Sequence, residues 1–284
     1  MRYLLITFAA MTLTFAPQAQ SASDTIHHTV VIKESGRFSG WPANHGIWSW
    51  GNEIVVGFQH GYYKENPTGG HAIDRDRPSE NKMARSLDGG ETWTIETPTY
   101  ADRNKTSLDP ATIEDGIDFS NPDLALRFSG GSFHYSLDRC HTWQGPYTLP
   151  TFGRPGLLCR TDYIVEGKDR VTAFIAAEKD GGEEGQPLCI RTTDGGRTWN
   201  LVGWIGQQPP ATYGYAIMPA TIALKDGGYL SIIRRGGVFD GQKRWWLEAF
   251  LSPDDGHSWY MLDQPRIDTH GNPATLTRLD SGEI

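Results

Sequence analysis

The residues of this chain that could do chemistry gather in a few polar connections rather than along its apolar runs. The longest, HGYYKENPTGGHAIDRDRPSENK (His60 to Lys82), carries His60, His71, Asp74 and Asp76, with Arg75 and Arg77 between and after the carboxylates. His45 stands in PANHGIWSWG, Arg160 and Asp162 precede Tyr163 in CRTDYIVEG, Tyr215 and Met218 lie in YAIMPATIAL, and Arg234 and Arg235 close YLSIIRR. Carboxylates, imidazoles and phenols move protons. Guanidinium forks match carboxylates in two-point geometry. Each group has a plainer use: Asp74 and Asp76 pairing with Arg75 and Arg77 in a solvated loop, Arg234 and Arg235 as a surface pair, and a histidine at a strand end as structure.

The elements that must position these groups announce themselves by repetition. SLDGGETW (Ser86 to Trp93), SLDRCHTW (Ser136 to Trp143), TTDGGRTW (Thr192 to Trp199) and SPDDGHSW (Ser252 to Trp259) all fit S/T-x-D-x-G-x-S/T-W, with Cys140 the one break at the Gly position. Their aspartates, Asp88, Asp138, Asp194 and Asp254, lie 50, 56 and 60 residues apart, a period that signals stacked units sharing a core. An Asp that accepts backbone N–H groups, followed by Gly at positive φ, makes a hairpin turn, and the hydroxyl and Trp open the next strand. A motif present in every unit serves what every unit shares, so these four aspartates read as scaffold rather than as metal or catalytic ligands.

With this motif the chain resembles the sialidase (neuraminidase) superfamily and other β-propellers with Asp-box, or BNR, repeats. The resemblance implies an all-β fold: a β-propeller of four-stranded antiparallel blades, six in the family, of which about four and a half would be present here. Blade one would run GIWSW, EIVVGF, NKMARS, TWTIET; blade three TDYIVEG, RVTAFIAA, PLCIRT, TWNLVGW; blade four PATIALKDG, YLSIIRR, WWLEAFL, SWYMLD. Blade two shows LALRF and SFHYS but no clear first strand. HGNPATLTRLDSGEI would start a fifth blade, which makes the chain read as C-terminally truncated, and HTVVIK (His28 to Lys33) would be the outer strand of an absent last blade. Alternating strand directions put the repeated turns on one face. The strand starts near His45, Asn121, Asp123, Arg160, Tyr215 and His270 fall on the other, with the loops Gln59 to Lys82, Glu178 to Gln186 and Arg234 to Lys243.

For chemistry, the resemblance implies that Asp74 or Asp76 is a general acid/base and that Arg234 or Arg235 belongs to a triple-arginine clamp on a substrate carboxylate. Two positions depart from the pattern. Gly40-Trp41-Pro42-Ala43 has no arginine where the first clamp residue would stand, and Met218 replaces the Glu that would activate a nucleophilic Tyr. Some propellers of this repeat resemble polysaccharide lyases acting on uronates, with a His base, a Tyr acid and an Arg. His45, Tyr215 or Tyr163, and Arg160 or Arg234 match that set, with His71 and His60 nearby. The expectation is a sialidase-like exo-glycosidase releasing an acidic sugar, with a uronate lyase and a non-catalytic glycan-binding propeller as alternatives. The expected partner is an anionic glycan or polysaccharide, and neither enzyme class needs a cofactor.

Composition fits. The 33 Gly, 17 Pro and 10 Trp suit a turn-rich β protein, and no stretch keeps helical periodicity. A net charge of −8 argues against nucleic acid as partner. Arg2, the apolar run Tyr3 to Ala16, and Ala19-Gln20-Ser21 read as a signal peptide over 1–21. It leaves 22–284 as the propeller domain of a secreted or periplasmic protein without a stable membrane anchor. The three cysteines show no zinc spacing, and a Cys159–Cys189 bond would have to span two strand spacings, too far for a disulfide.

Overall fold

The structure is a computed structural model that describes residues 27–67, 70–101, 112–181, 184–209, 214–225, 227–263 and 267–279. The proposed signal segment, 1–21, lies outside the described residues. Among those described, the only helices are two three-residue 3-10 turns, and everything else regular is β.

Four antiparallel sheets follow one another along the chain. Blade one holds β1 (Arg37–Gly40), β2 (Ile47–Trp50), β3 (Glu53–Tyr62), β4 (Glu80–Ser86) and β5 (Thr94–Glu96); β1 and β2 share the long edge of β3. Blade two has three strands, β6 (Ala125–Ser129), β7 (Ser132–Ser136) and β8 (Gln144–Thr148). Blade three is complete, with β9 (Tyr163–Val165), β10 (Val171–Ala177), β11 (Gln186–Thr192) and β12 (Asn200–Trp204). Blade four comprises β13 (Gly214–Ala223), β14 (Tyr229–Phe239), β15 (Gln242–Ser252), β16 (Tyr260–Met261) and β17 (Ile267–Thr269).

Three expectations change. His28 to Lys33 forms no strand. The segment 270–279 is irregular, so no described residue contributes a strand to a fifth blade; 280–284 lie outside the described residues. Arg234 to Lys243 is no loop: β14 and β15 run on as one hairpin, paired from Tyr229↔Ser252 to Phe239↔Gln242 and turned by Asp240-Gly241. Positive φ at both turn residues suits the right-handed twist of paired strands, and it explains why a short connection suffices.

The core lies between sheets. Strand β10, buried along its whole length, alternates its faces with the period of two that strands impose. Ala173 and Ile175 join Leu126, Phe128 and Phe133 of blade two, while Phe174 joins Ala216, Ile233 and Phe250 of blade four. The repeat tryptophans wedge these seams. Trp143 meets Trp48 of blade one (5.4 Å between centroids), Trp199 meets Phe128 of blade two (5.7 Å), and Trp259 meets Phe174 of blade three (6.2 Å). Burying one such ring stabilises by about 1.5–3 kcal/mol, so the motif glues each blade to the one before it.

The four turns share one hydrogen-bond plan. In the first, Thr92 donates to both oxygens of Asp88 (N to Oδ1 2.9 Å, Oγ1 to Oδ2 2.6 Å), and Ser86 Oγ donates to Asp88 while accepting from Gly90 N at 2.8 Å. Asp138, Asp194 and Asp254 repeat it with Thr142, Thr198 and Ser258. These bonds hold the carboxyls below the usual range, Asp88 at about 2. All four aspartates are consumed by their turns. Each turn lies where the first two strands of its blade meet, as Gly89 N to Asn52 O (2.8 Å) and Gly195 N to Asp169 O (3.0 Å) show.

Candidate functional site

Where the innermost strands face one another they enclose a cavity of about 730 Å³. Its walls are Pro42, Ala43 and Gly46 to Trp48 from blade one, Arg160 to Tyr163 from the start of blade three, Met218 to Thr221 from β13, and Pro273 to Leu276 from the irregular tail. Blade one contributes because its inner edge is broken: β1 and β2 are separated by residues 41–46, which leave the sheet and turn inward through the 3-10 turn Pro42–Asn44. Blade four contributes through a bulge. The β13–β14 register slips between Ile217 and Ala220, and Met218 sits there at φ 54°, which L-residues other than Gly avoid. Bulges re-aim side chains beside functional sites, and this one puts the thioether into the cavity wall.

Arg160 lines this space and Arg234 lies against the wall residue Met218, neither with a carboxylate partner among the described residues. Arg160 is steadied by neutral acceptors, Asn44 Oδ1 at 2.7 Å from Nε and its neighbour's carbonyl, Cys159 O, at 2.8 Å. Burial pulls its pKa down, Glu184 opposes that, and the like charge of Arg234 adds to it. Arg234 donates to Met218 Sδ at 3.5 Å, and its guanidinium lies 5.0 Å from the centre of the Tyr215 ring. No ion pair forms at either residue among the described ones. Beside them, burial pushes the Asp162 carboxyl up to about 8, although Thr221 hydrogen bonds oppose the rise. Part of the residue meets the cavity, yet Oδ2 is sealed from solvent without a partner. Burial therefore favours the protonated form of Asp162, the state a general acid needs.

Apart from Tyr163, which backs the cavity wall, the other expected residues fall elsewhere. Asp74 and Asp76 pair with Lys64, at 3.4 and 2.8 Å, rather than with Arg75 and Arg77, whose guanidinium groups lie over the rings of Trp41 and Tyr62. Lys64 holds the exposed Asp76 carboxyl below the usual range, the opposite of what an acid catalyst requires. His71 accepts from Trp41 Nε1 at 3.1 Å on the exposed rim of the same loop. Arg235, on the other face of β14, pairs with Glu248 at 2.6 Å. His60 is buried against Ser39 Oγ at 2.8 Å. Tyr163 is fixed in the core, its hydroxyl accepting from Leu126 N at 3.2 Å and its phenol pushed up to about 12 by burial. His45 is 5% exposed and held neutral, at about 4, by burial and by Arg127 and Arg160. The cysteines are free and buried.

A tyrosine–glutamate pair does occur, Tyr229 with Glu166, but at the end of the blades where the repeated turns lie. Burial, with the hydrogen bond to Glu166, raises that phenol's pKa, so it stays protonated. Arg170, Arg191 and Asp255 complete a structural network that ties blade three to blade four.

No protein-family model matches the chain, and no curated protein does. Among solved structures, a protein of unknown function from Dyadobacter fermentans is similar, with a TM-score of 0.59 and 18% identity over 89% of this chain and 75% of that one. An α-L-arabinanase from Penicillium chrysogenum, complexed with arabinobiose, gives a TM-score of 0.49 and 16% identity over 81% and 67% of the two chains. The NanB sialidase of Streptococcus pneumoniae gives 0.46 and 11%, over 82% and 52%. The first likeness speaks to the fold, and the lower two add nothing to it. Four consecutive antiparallel blades packed seam to seam define an all-β protein of the propeller class. Its chemistry rests on the cavity.

Proposed function

We propose that this protein is a carbohydrate-active propeller whose central cavity binds an acidic sugar, and that it acts as an exo-glycosidase of the sialidase type. The observation that carries the reading is a cavity wall on which Arg160, lacking a carboxylate, stands with Asp162, a carboxyl that burial favours in its protonated form, while Arg234, likewise without a carboxylate, lies behind the wall residue Met218. Guanidinium groups left uncompensated in a concave site favour a carboxylate ligand. In the proposed reaction Asp162 protonates the departing glycosidic oxygen as the C–O bond breaks; water then bonds to the anomeric carbon as hydroxyl, and its other proton returns to the Asp162 carboxylate. Asp74 and Asp76 remain candidates for a supporting role only, since Lys64 neutralises both. His71 and Tyr215 would contact the glycan from the rim and from beside Arg234. The N-terminal apolar run supports export to the periplasm or beyond.

The test is product analysis on acidic glycans. A released acidic sugar without gain of near-ultraviolet absorbance supports hydrolysis. Growth of that absorbance on uronate polymers marks elimination and overturns it. Binding without product reduces the protein to a glycan-binding propeller.

A further inference from the structure

The seam between blades one and two contains a buried cation that nothing in the proposed reaction uses. Arg127, on β6, is 5% exposed and makes no ion pair among the described residues. His134 lies directly opposite it on β7, His45 reaches it from the 3-10 turn of blade one, and Tyr100 lies flat against it, 4.3 Å from ring centre to guanidinium. Each of these four neighbouring residues has a buried polar atom without a hydrogen-bond partner: Arg127 Nε, His45 Nδ1, His134 Nδ1 and the Tyr100 hydroxyl. The guanidinium acts on the phenol through its charge and a loose side-chain hydrogen bond, which falls short of good alignment.

Native proteins satisfy buried polar groups, so four orphans around one uncompensated charge require an explanation. The carboxylates of this seam are taken: Glu53 and Glu96 bind Arg85, and Asp123 binds Arg139. None of them bears on Arg127. Both histidines are held neutral, His134 also at about 4, by burial and by Arg127. The group thus offers one positive charge, one phenolic O–H and one N–H from each imidazole, all suited to an acceptor. Water would satisfy the donors but leave the charge. The aromatic lid leaves no room for an organic acid, because Trp143 stands 5.5 Å from Tyr100 and 5.4 Å from Trp48.

We propose that the Arg127–His45–His134–Tyr100 cluster is a binding site for a small monovalent inorganic anion of the halide class, which locks blade one to blade two. The site is independent of the glycan reading. Its occupant stabilises by mass action, because only the folded seam binds it.

The experiment is thermal unfolding at neutral pH in sodium chloride against sodium gluconate at equal ionic strength. The melting temperature should rise with chloride and saturate, with no matching rise in gluconate. Tyr100→Phe removes one donor and should move the chloride midpoint upward several-fold; Arg127→Met should abolish the difference between the salts. If Arg127→Met does not fold, Tyr100→Phe alone decides. In crystals soaked in bromide, an anomalous peak between Arg127 and His134 supports the site, whereas bromide confined to the Arg160–Arg234 cavity overturns it. Equal melting temperatures in both salts at every concentration, or a chloride effect unaltered in both variants, also overturn it.

Discussion

Arg234 donates its hydrogen bond to the thioether of Met218 across 3.5 Å, so the charge beside the cavity meets a soft, neutral acceptor instead of a carboxylate. Sulfur is a weak acceptor. It orients the guanidinium without cancelling its charge, and the bulge at Met218 places it there. The chemical consequence is one open positive charge on the cavity wall, Arg160, and a second, Arg234, just behind it, an arrangement suited to holding an anion.

Met218→Glu should therefore close the site. A carboxylate at that position would pair with Arg234 and compete with the ligand, lowering affinity for an acidic glycan at least ~10-fold, which is about 1.4 kcal/mol. Met218→Leu keeps volume and neutrality and should stay within about threefold, because volume-conserving swaps in buried sites cost little. Calorimetric titration separates the two. Undiminished binding in the Glu variant would remove Arg234 from the list of anchors.

Cys140 occupies the turn position that is Gly in the other three repeats, at φ 69°. The left-handed conformation costs a non-glycine residue roughly 1–2 kcal/mol. Its thiol is also buried against the seam that Trp48, Met83 and Trp143 form, and losing it costs about 1 kcal/mol. Relief of strain outweighs the lost contact, so Cys140→Gly should raise the melting temperature by ~1–4 °C. Cys140→Ala keeps the strain and loses the sulfur; it should melt lower than the wild type. A Gly variant that melts no higher than the Ala variant would show that the turn carries no strain.

The architecture was legible because the repeat couples local and tertiary structure in the same eight residues. Asp88 and its equivalents close a turn, and the Trp that follows packs on the neighbouring sheet, so reading the motif reads both levels. The edges of the fold were not legible. His28 to Lys33 alternates like a strand yet finds no edge to pair with, and strand propensity needs a partner to act. Arg234 to Lys243 looked like a loop because Gly236, Gly237 and Gly241 punctuate it, but only Gly241 turns the chain. The site was half legible. Arg160 and Arg234 were chosen as guanidinium groups and do line or flank the cavity. Asp162 stood beside Arg160 among the candidates but took no role, because its perturbation comes from burial under strands far apart in sequence. Asp74 and Asp76 drew attention through their arginine neighbours, and spacing could not reveal that Lys64, ten residues earlier, would neutralise them.

Acid should weaken the seam of blades one and two. His45 and His134 have folded pKa values depressed to about 4 from about 6.5. A depressed value means the folded state resists protonation. The stability these residues contribute is fully present above pH 6.5 and is lost as pH falls toward 4. Replacing His134 by Gln, which cannot titrate, should flatten part of that decline when melting temperature is followed from pH 7 to 4. An acid limb identical to that of the wild type would place the titrating groups elsewhere.

Asp162 acts with the opposite sign, and the two effects separate on the pH axis. Its folded pKa is raised to about 8 from 3.8, so the native state keeps a proton that the unfolded chain has released. The contribution is fully present below about pH 3.8 and lost progressively as pH rises toward 8. Toward pH 8, well above 6.5, His45 and His134 are neutral in both states, and Asp162 is a carboxyl still changing its charge in the folded protein. Wild-type melting temperature should fall across that window, and Asp162→Asn should remove the fall, since an amide hydrogen-bonds like a neutral carboxyl but cannot ionise. The same substitution should cost ~10²–10⁴-fold in turnover, the usual worth of a general acid. Wild-type turnover should itself decline as pH passes about 8 and the acid form is lost. Turnover that survives in Asp162→Asn while the stability slope disappears would leave Asp162 as a buried structural acid and return the search for the proton donor to Asp74.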